Sequence, residues 1–145
     1  MTPAAWSSAT EWTTNVRSTA DVAVAQVRAR RLAEHVGLPR RAQVEFAIVV
    51  SEAASNMLVH AGSGRLTLRG VPGRYVELVA RDRGPGIADV TLASRDGVSR
   101  GLPTAQAPFP RSLGSGLGAM ARLSDSLHID SSPQGTCVRA VKAVR

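Results

Sequence analysis

The chain of 145 residues is 43% hydrophobic and 20% charged, enough for one globular domain to bury a core without disulfides or a structural metal. Its 18 Lys and Arg against 11 Asp and Glu give +7 and a pI near 11.3, which points to an anionic partner; with only 3% aromatic residues there is little material for a base-stacking platform, so nucleic acid is not the expected one. The single cysteine, Cys137, excludes an internal disulfide framework and a four-thiolate zinc site and fits a reducing cytoplasm, while no apolar run approaches the roughly 20 residues of a membrane span and no signal peptide is visible.

Residues 1–14, MTPAAWSSATEWTT, read as a Ser/Thr/Ala-rich tail running into a β-prone stretch over Trp12 to Val16. From Asp21 the period becomes helical: Ala25, Ala29, Leu32, Ala33 and Val36 form an apolar stripe, and Gly37 and Pro39 end it. A second helix, from about Arg41 to His60, repeats the spacing with Phe46, Val50, Ala53, Ala54 and Met57 and stops at Ala61 and Gly62. The period then falls to two in RLTLRGV (65–71) and RYVELVARD (74–82), a hairpin turning at Pro72 and Gly73. About thirty residues dense in Gly, Pro and Ser follow Asp82, without a period until about Leu117. A short helix in LGAMARLSDSL and a second hairpin, LHIDS and CVRAVKAV around SPQGT, complete the chain. This order predicts an α+β, two-layer sandwich with helices on one face of a mixed sheet, residues 15–145 forming one domain.

Three clusters carry chemistry. In SEAASNMLVHA (51–61), Glu52 and Asn56 lie four apart, so they share a helix face beside the apolar stripe. A carboxylate and an amide oxygen at that spacing suit a general base and a Mg²⁺ ligand, although a solvated face is the more ordinary reading of the pair alone. In RDRGPGI (81–87), Asp82 ends a strand and can accept from an exocyclic amine, while Gly84 and Gly86 allow a sharp turn and close approach of a ligand; a plain Pro-Gly turn is the simpler reading of the string. In LGSGLGAM (113–120), Gly114, Gly116 and Gly118 precede the expected helix, where bare amides bind phosphates. The run has no GxxxxGK[ST], and the only lysine, Lys142, is far away, so it is not a P-loop. His35, His60 and His128 are scattered and are not expected to bind metal; His60 reads as a helix-end cap or core-edge residue.

Together SEAASNMLVHA, DRGPGI, LGSGLGAMARL and the late QGT resemble, in order, the N box, two glycine boxes and terminal GT of the GHKL ATPase superfamily. Within it the chain is similar to the small bacterial switch kinases related to anti-sigma factors, of the RsbT stressosome type. The resemblance implies the Bergerat ATP-binding fold with an ATP lid at about 96–118, and ATP and Mg²⁺ as cofactors. It implies Glu52 as the general base, Asn56 as the Mg²⁺ ligand, and Asp82 on the adenine amine. Gly84, Gly86 and Thr136 would shape the adenine pocket, with Gly114, Gly116, Leu117 and Gly118 at the phosphates. The lid segment, with GLPTAQAPFPRS ahead of the glycines, is longer than in a minimal member of that type.

The expectation is therefore a cytoplasmic ATP-dependent serine/threonine kinase acting on a STAS-domain antagonist in a partner-switching stress module, with a sigma factor or a PP2C-type phosphatase as further partners. The alternative is a nucleotide-responsive module that sequesters or activates such partners without catalysis; Glu52 favours catalysis. A detached histidine-kinase domain is a third reading, disfavoured by the Ser-Glu pair ahead of Asn56. The basic excess, concentrated at Arg28, Arg30, Arg31, Arg40 and Arg41, is expected to steer an acidic protein partner.

Overall fold

The computed structural model describes residues 9–86 and 111–145. Most of the expected lid lies outside them. Strand β1 (Thr10–Val16) begins inside the supposed tail and leads into α1 (Thr19–Val36). The helix starts earlier than its apolar stripe because Ser18 caps it: the Ser18 side chain accepts the Asp21 amide at 3.3 Å, and Asp21 Oδ2 accepts the Arg17 amide at 2.8 Å. Such reciprocal capping is worth about 1 kcal/mol. Gly37, in the left-handed region at φ 102°, ends it.

Helix α2 (Arg40–Ala61) is, against expectation, long and apolar enough by length and composition to cross a membrane. Its apolar side is used within the protein. Phe46, Val49, Val50, Ala53, Ala54 and Met57 are buried in one core with Ala29, Leu32 and Val36 of α1. Strands β2 (Gly64–Val71) and β3 (Tyr75–Asp82) form the expected hairpin and send Leu66, Leu68, Val76, Leu78 and Ala80 into that core. Each of the larger side chains contributes about 1.5–3 kcal/mol by burial.

The third helix, α3 (Arg111–Leu123), corrects the sequence reading at both ends. It begins six residues before Leu117 and takes in the glycines that were expected to precede it. A helix accepts each glycine at only about 1 kcal/mol relative to alanine. It stops at Leu123, since the alternating SLHIDSS is already strand β4 (Ser126–Ser132), paired with β5 (Gly135–Ala143). Lys142 locks this corner: its ammonium donates to the Leu123 carbonyl at 2.7 Å and pairs with Glu45 of α2 at 3.2 Å. A cation at a helix C-terminus also complements the helix dipole.

The sheet order is β1-β2-β3-β5-β4, and every pairing is antiparallel. The expected mixed sheet is thus corrected. Strands β3 and β4 do run the same way, as a strand-helix-strand crossover dictates, but β5 slots between them and removes the parallel contact. The two-layer α+β sandwich stands, with the helices packed on one sheet face.

Candidate functional site

Glu52, Asn56 and His60 succeed one another at four-residue intervals along α2, so they form one row facing the C-terminal half of the sheet and α3. Asn56 does not lie beside the apolar stripe as expected but within it, between Ala53 and Met57, and is only 9% exposed. Its Oδ1 and Nδ2 are both buried without a hydrogen-bond partner. An unpaired buried polar group costs about 1–3 kcal/mol, and a site that keeps one is a site where a ligand can complete the bonding. One turn earlier, burial raises the carboxyl pKa of half-buried Glu52 above its ordinary 4.5.

The backbone of α3 closes over this pair. A Cβ placed on Gly116 would stand 2.7 Å from Glu52 Oε2 and 3.6 and 3.7 Å from Asn56 Nδ2 and Oδ1. Only glycine fits there without moving the carboxylate. Leu117 and Met120 of the same helix are fully buried and carry α3 against the core.

The other end of the pocket is built by the ends of β3 and β5, where Asp82 lies directly opposite Thr136. Asp82 Oδ1 accepts the Gly84 amide at 2.9 Å, which fixes the carboxylate and the following turn. Thr136 is buried, its hydroxyl 2.9 Å from that of Ser131 on β4. Gly84 lies so close to α2 that a Cβ would stand 2.7 Å from that of Ala61. Gly86 is held at φ 86° with its α-carbon against the Ser132 carbonyl, so both its conformation and its surroundings demand glycine.

One pocket is lined by Asn56, Asp82, Gly84, Gly86, Leu117 and Thr136, with Ala53, Met57, Ala80 and Val138 as apolar wall. The structure thus brings the residues of the three sequence clusters together. Gly114 and Gly118 lie in α3 rather than in a loop ahead of it. His60 was missed: it lines the same pocket, and its Nε2 is buried without a partner. The signal was its place one turn beyond Asn56, continuing the row from Glu52.

The histidine kinase-like ATPase domain family matches residues 16–142. The chain belongs to that family. It is 29% identical over 140 residues to the serine/threonine-protein kinase RsbT of Bacillus subtilis (strain 168), covering 94% of this chain and 92% of the relative. Among solved structures it is similar to the mycobacterial sensor histidine kinase MprB, with a TM-score of 0.49 and 19% identity over 94% of this chain and 99% of that one.

Proposed function

We propose that this chain is an ATP-dependent protein serine/threonine kinase of a partner-switching module and that its substrate is a STAS-domain antagonist. The observation that carries the reading is the buried, unpartnered Asn56 amide one turn from a carboxylate whose pKa is raised by burial. A pocket wall that needed only to be filled would not hold an unsatisfied amide in the apolar stripe of its core helix. The likeness to a serine/threonine kinase over nearly the whole chain supports the same reading.

The residues fit ATP and Mg²⁺. Asn56 Oδ1 is a hard, free oxygen of the kind Mg²⁺ takes alongside phosphates and water. Asp82, fixed by the Gly84 amide through Oδ1, would accept the adenine amine, with Thr136, Gly84 and Gly86 shaping that end. Gly114, Gly116, Leu117 and Gly118 would stand at the phosphates. Mg²⁺ supplies charge neutralisation at the transferred phosphoryl group. Glu52 takes the proton of the attacking hydroxyl as the new oxygen-phosphorus bond forms and the bond to the bridging β-phosphate oxygen breaks. A raised pKa makes Glu52 a stronger base than an exposed glutamate. The space now left in the pocket is about 20 Å³, room for about one water, so admitting a nucleotide requires the pocket to open.

The test is transfer of radiolabel from γ-labelled ATP to a STAS-domain protein, with the chemistry of the label determined. Acid-stable label on serine or threonine is the expected result. Acid-labile label on histidine would make the chain a histidine-kinase domain, and nucleotide binding without transfer would make it a sequestering module.

A further inference from the structure

A second cleft, larger than the pocket above, lies beside it. It has a volume of about 690 Å³ and lies across the end of the sheet, where Arg17, Arg65, Arg81 and Arg83 line it with only Asp82 and Asp130 as acids. All four arginines are exposed and none makes an ion pair among the described residues. Several arginines elsewhere are engaged, while Arg30 and Arg31 of α1 are unpaired among the described residues but do not line this cleft. Arg28 of α1 lies over the Trp12 ring at 5.3 Å, Arg41 pairs with Glu45, Arg139 with Glu77 and Arg145 with Asp125.

The sheet register sharpens the contrast. Four residues further along the same strands, Glu11, Arg69 and Glu77 sit opposite one another and alternate in sign. At the cleft the sequence across the strands is Asn15, Arg65, Arg81, Cys137 and Asp130, so two arginines stand directly opposite each other with no acid between them. Like charges in that position repel. An acidic ligand would relieve the repulsion and find guanidinium forks already in place.

We propose that this cleft docks an acidic, extended segment of a protein partner. Four inter-strand steps from Asn15 to Asp130 span about 19 Å, the length of about six extended residues, and the arginines are spread from just past β1, through β2 and β3, to just past β3 rather than converging on one point. Such spacing fits carboxylates carried along a chain better than a single phosphate group. Asp82 and Thr136 border both the cleft and the nucleotide pocket, so the partner is gripped at the Asp82 end, away from Glu52. The sequence placed the acid-binding surface on the arginines around the first helix, Arg28, Arg30, Arg31, Arg40 and Arg41; the set that lines a cleft at the sheet end is the one proposed here. Docking of an acidic segment stands on the cleft; only that the docked protein is a kinase substrate rests on the function proposed above.

Fluorescence anisotropy with a labelled peptide of alternating Glu and Ser tests it on the full chain. The double variant Arg65→Glu, Arg81→Glu is expected to weaken binding at least about tenfold. Arg30→Glu, Arg31→Glu, with the same change in net charge, is expected to stay within about twofold. Equal losses in the two variants, no peptide binding by the wild type, or displacement of the peptide by tripolyphosphate at lower concentration than by unlabelled peptide would overturn the proposal. The milder Arg65→Gln, Arg81→Gln, monitored by thermal melting, guards against misfolding. Binding of a non-hydrolysable ATP analogue is measured in parallel and is expected to be unchanged in all variants; its absence in the wild type would sink the kinase reading and leave the docking result standing.

Discussion

The two ends of the pocket are built on opposite principles. At the Asp82 end the polar groups are already engaged: Asp82 holds the Gly84 amide, Thr136 meets Ser131, and Gly86 is fixed against Ser132. At the Glu52 end they are not, since both amide atoms of Asn56 lack partners and Glu52 is desolvated beneath Gly116. The first end is a finished mould for a rigid ligand part. The second is held in an unfavourable state that a charged ligand relieves, so substitutions there separate stability from function and substitutions at the first do not.

The largest effect is expected at Glu52. Removing a general base lowers transfer about 10²- to 10⁴-fold, so Glu52→Ala should lose label transfer while binding a non-hydrolysable ATP analogue within a few-fold of wild type. Transfer at the wild-type rate would strip Glu52 of its role. Next comes Asn56→Leu, which replaces an unsatisfied amide by an apolar side chain of similar size. It should raise stability by about 1–3 kcal/mol, or roughly 2–4 °C in Tm for each kcal/mol, while Mg²⁺-dependent nucleotide affinity falls by at least about tenfold. A lowered Tm would mean that Asn56 is satisfied in solution and the contrast between the two ends is false.

Gly116→Ala sharpens the contrast further. Alanine in a helix is ordinarily favourable by about 1 kcal/mol over glycine, and the atom its Cβ meets is the movable tip of Glu52. Stability should therefore hold or rise while transfer drops about tenfold, since displacing a base by an ångström is enough to misalign it. Thermal melting and single-turnover transfer on one preparation check both halves.

The fold was legible wherever the hydrophobic period was long, as in α2 and the β2-β3 hairpin. It failed at α3, where three glycines read locally as loop, yet the apolar residues that follow, Leu117 and Met120, anchor a helix that extends back through them. The parallel contact implied by a crossover was lost because sequence order does not reveal that β5 inserts between β3 and β4. At the site, residue types and spacing singled out Glu52, Asn56 and Asp82 as candidates, but not that Asn56 is buried. That depends on α3 lying over it. His60 escaped because a histidine at a helix end has an ordinary capping role, and only packing shows its Nε2 sealed in the pocket.

The pH dependence follows from Glu52. Burial favours its neutral form, so the carboxyl contributes stability that is fully present below the ordinary 4.5 and is lost as pH rises through the raised value. At neutral pH the ionised, desolvated carboxylate is therefore a burden, and Glu52→Gln should melt higher than wild type there, with the difference vanishing below 4.5. Transfer by the wild type should have its acid limb above 4.5. A gap between the two melting curves that widened on acidification would reverse the sign and show a favourable partner for the charge.

The smallest effect belongs to the finished end. Thr136→Val keeps the shape of the side chain and removes the hydroxyl that meets Ser131 at 2.9 Å. Losing one such bond costs about 0.5–1.5 kcal/mol, so Tm should fall by a few degrees, and nucleotide affinity should fall with it by only a few-fold. Stability and affinity move in the same direction here, the reverse of Asn56→Leu. The reason is that this hydroxyl is already bonded in the free protein, so removing it loosens the mould without relieving any strain. A Thr136→Val protein that melted higher while binding nucleotide more weakly would place Thr136 with Asn56, among groups held for the ligand, and erase the distinction between the two ends.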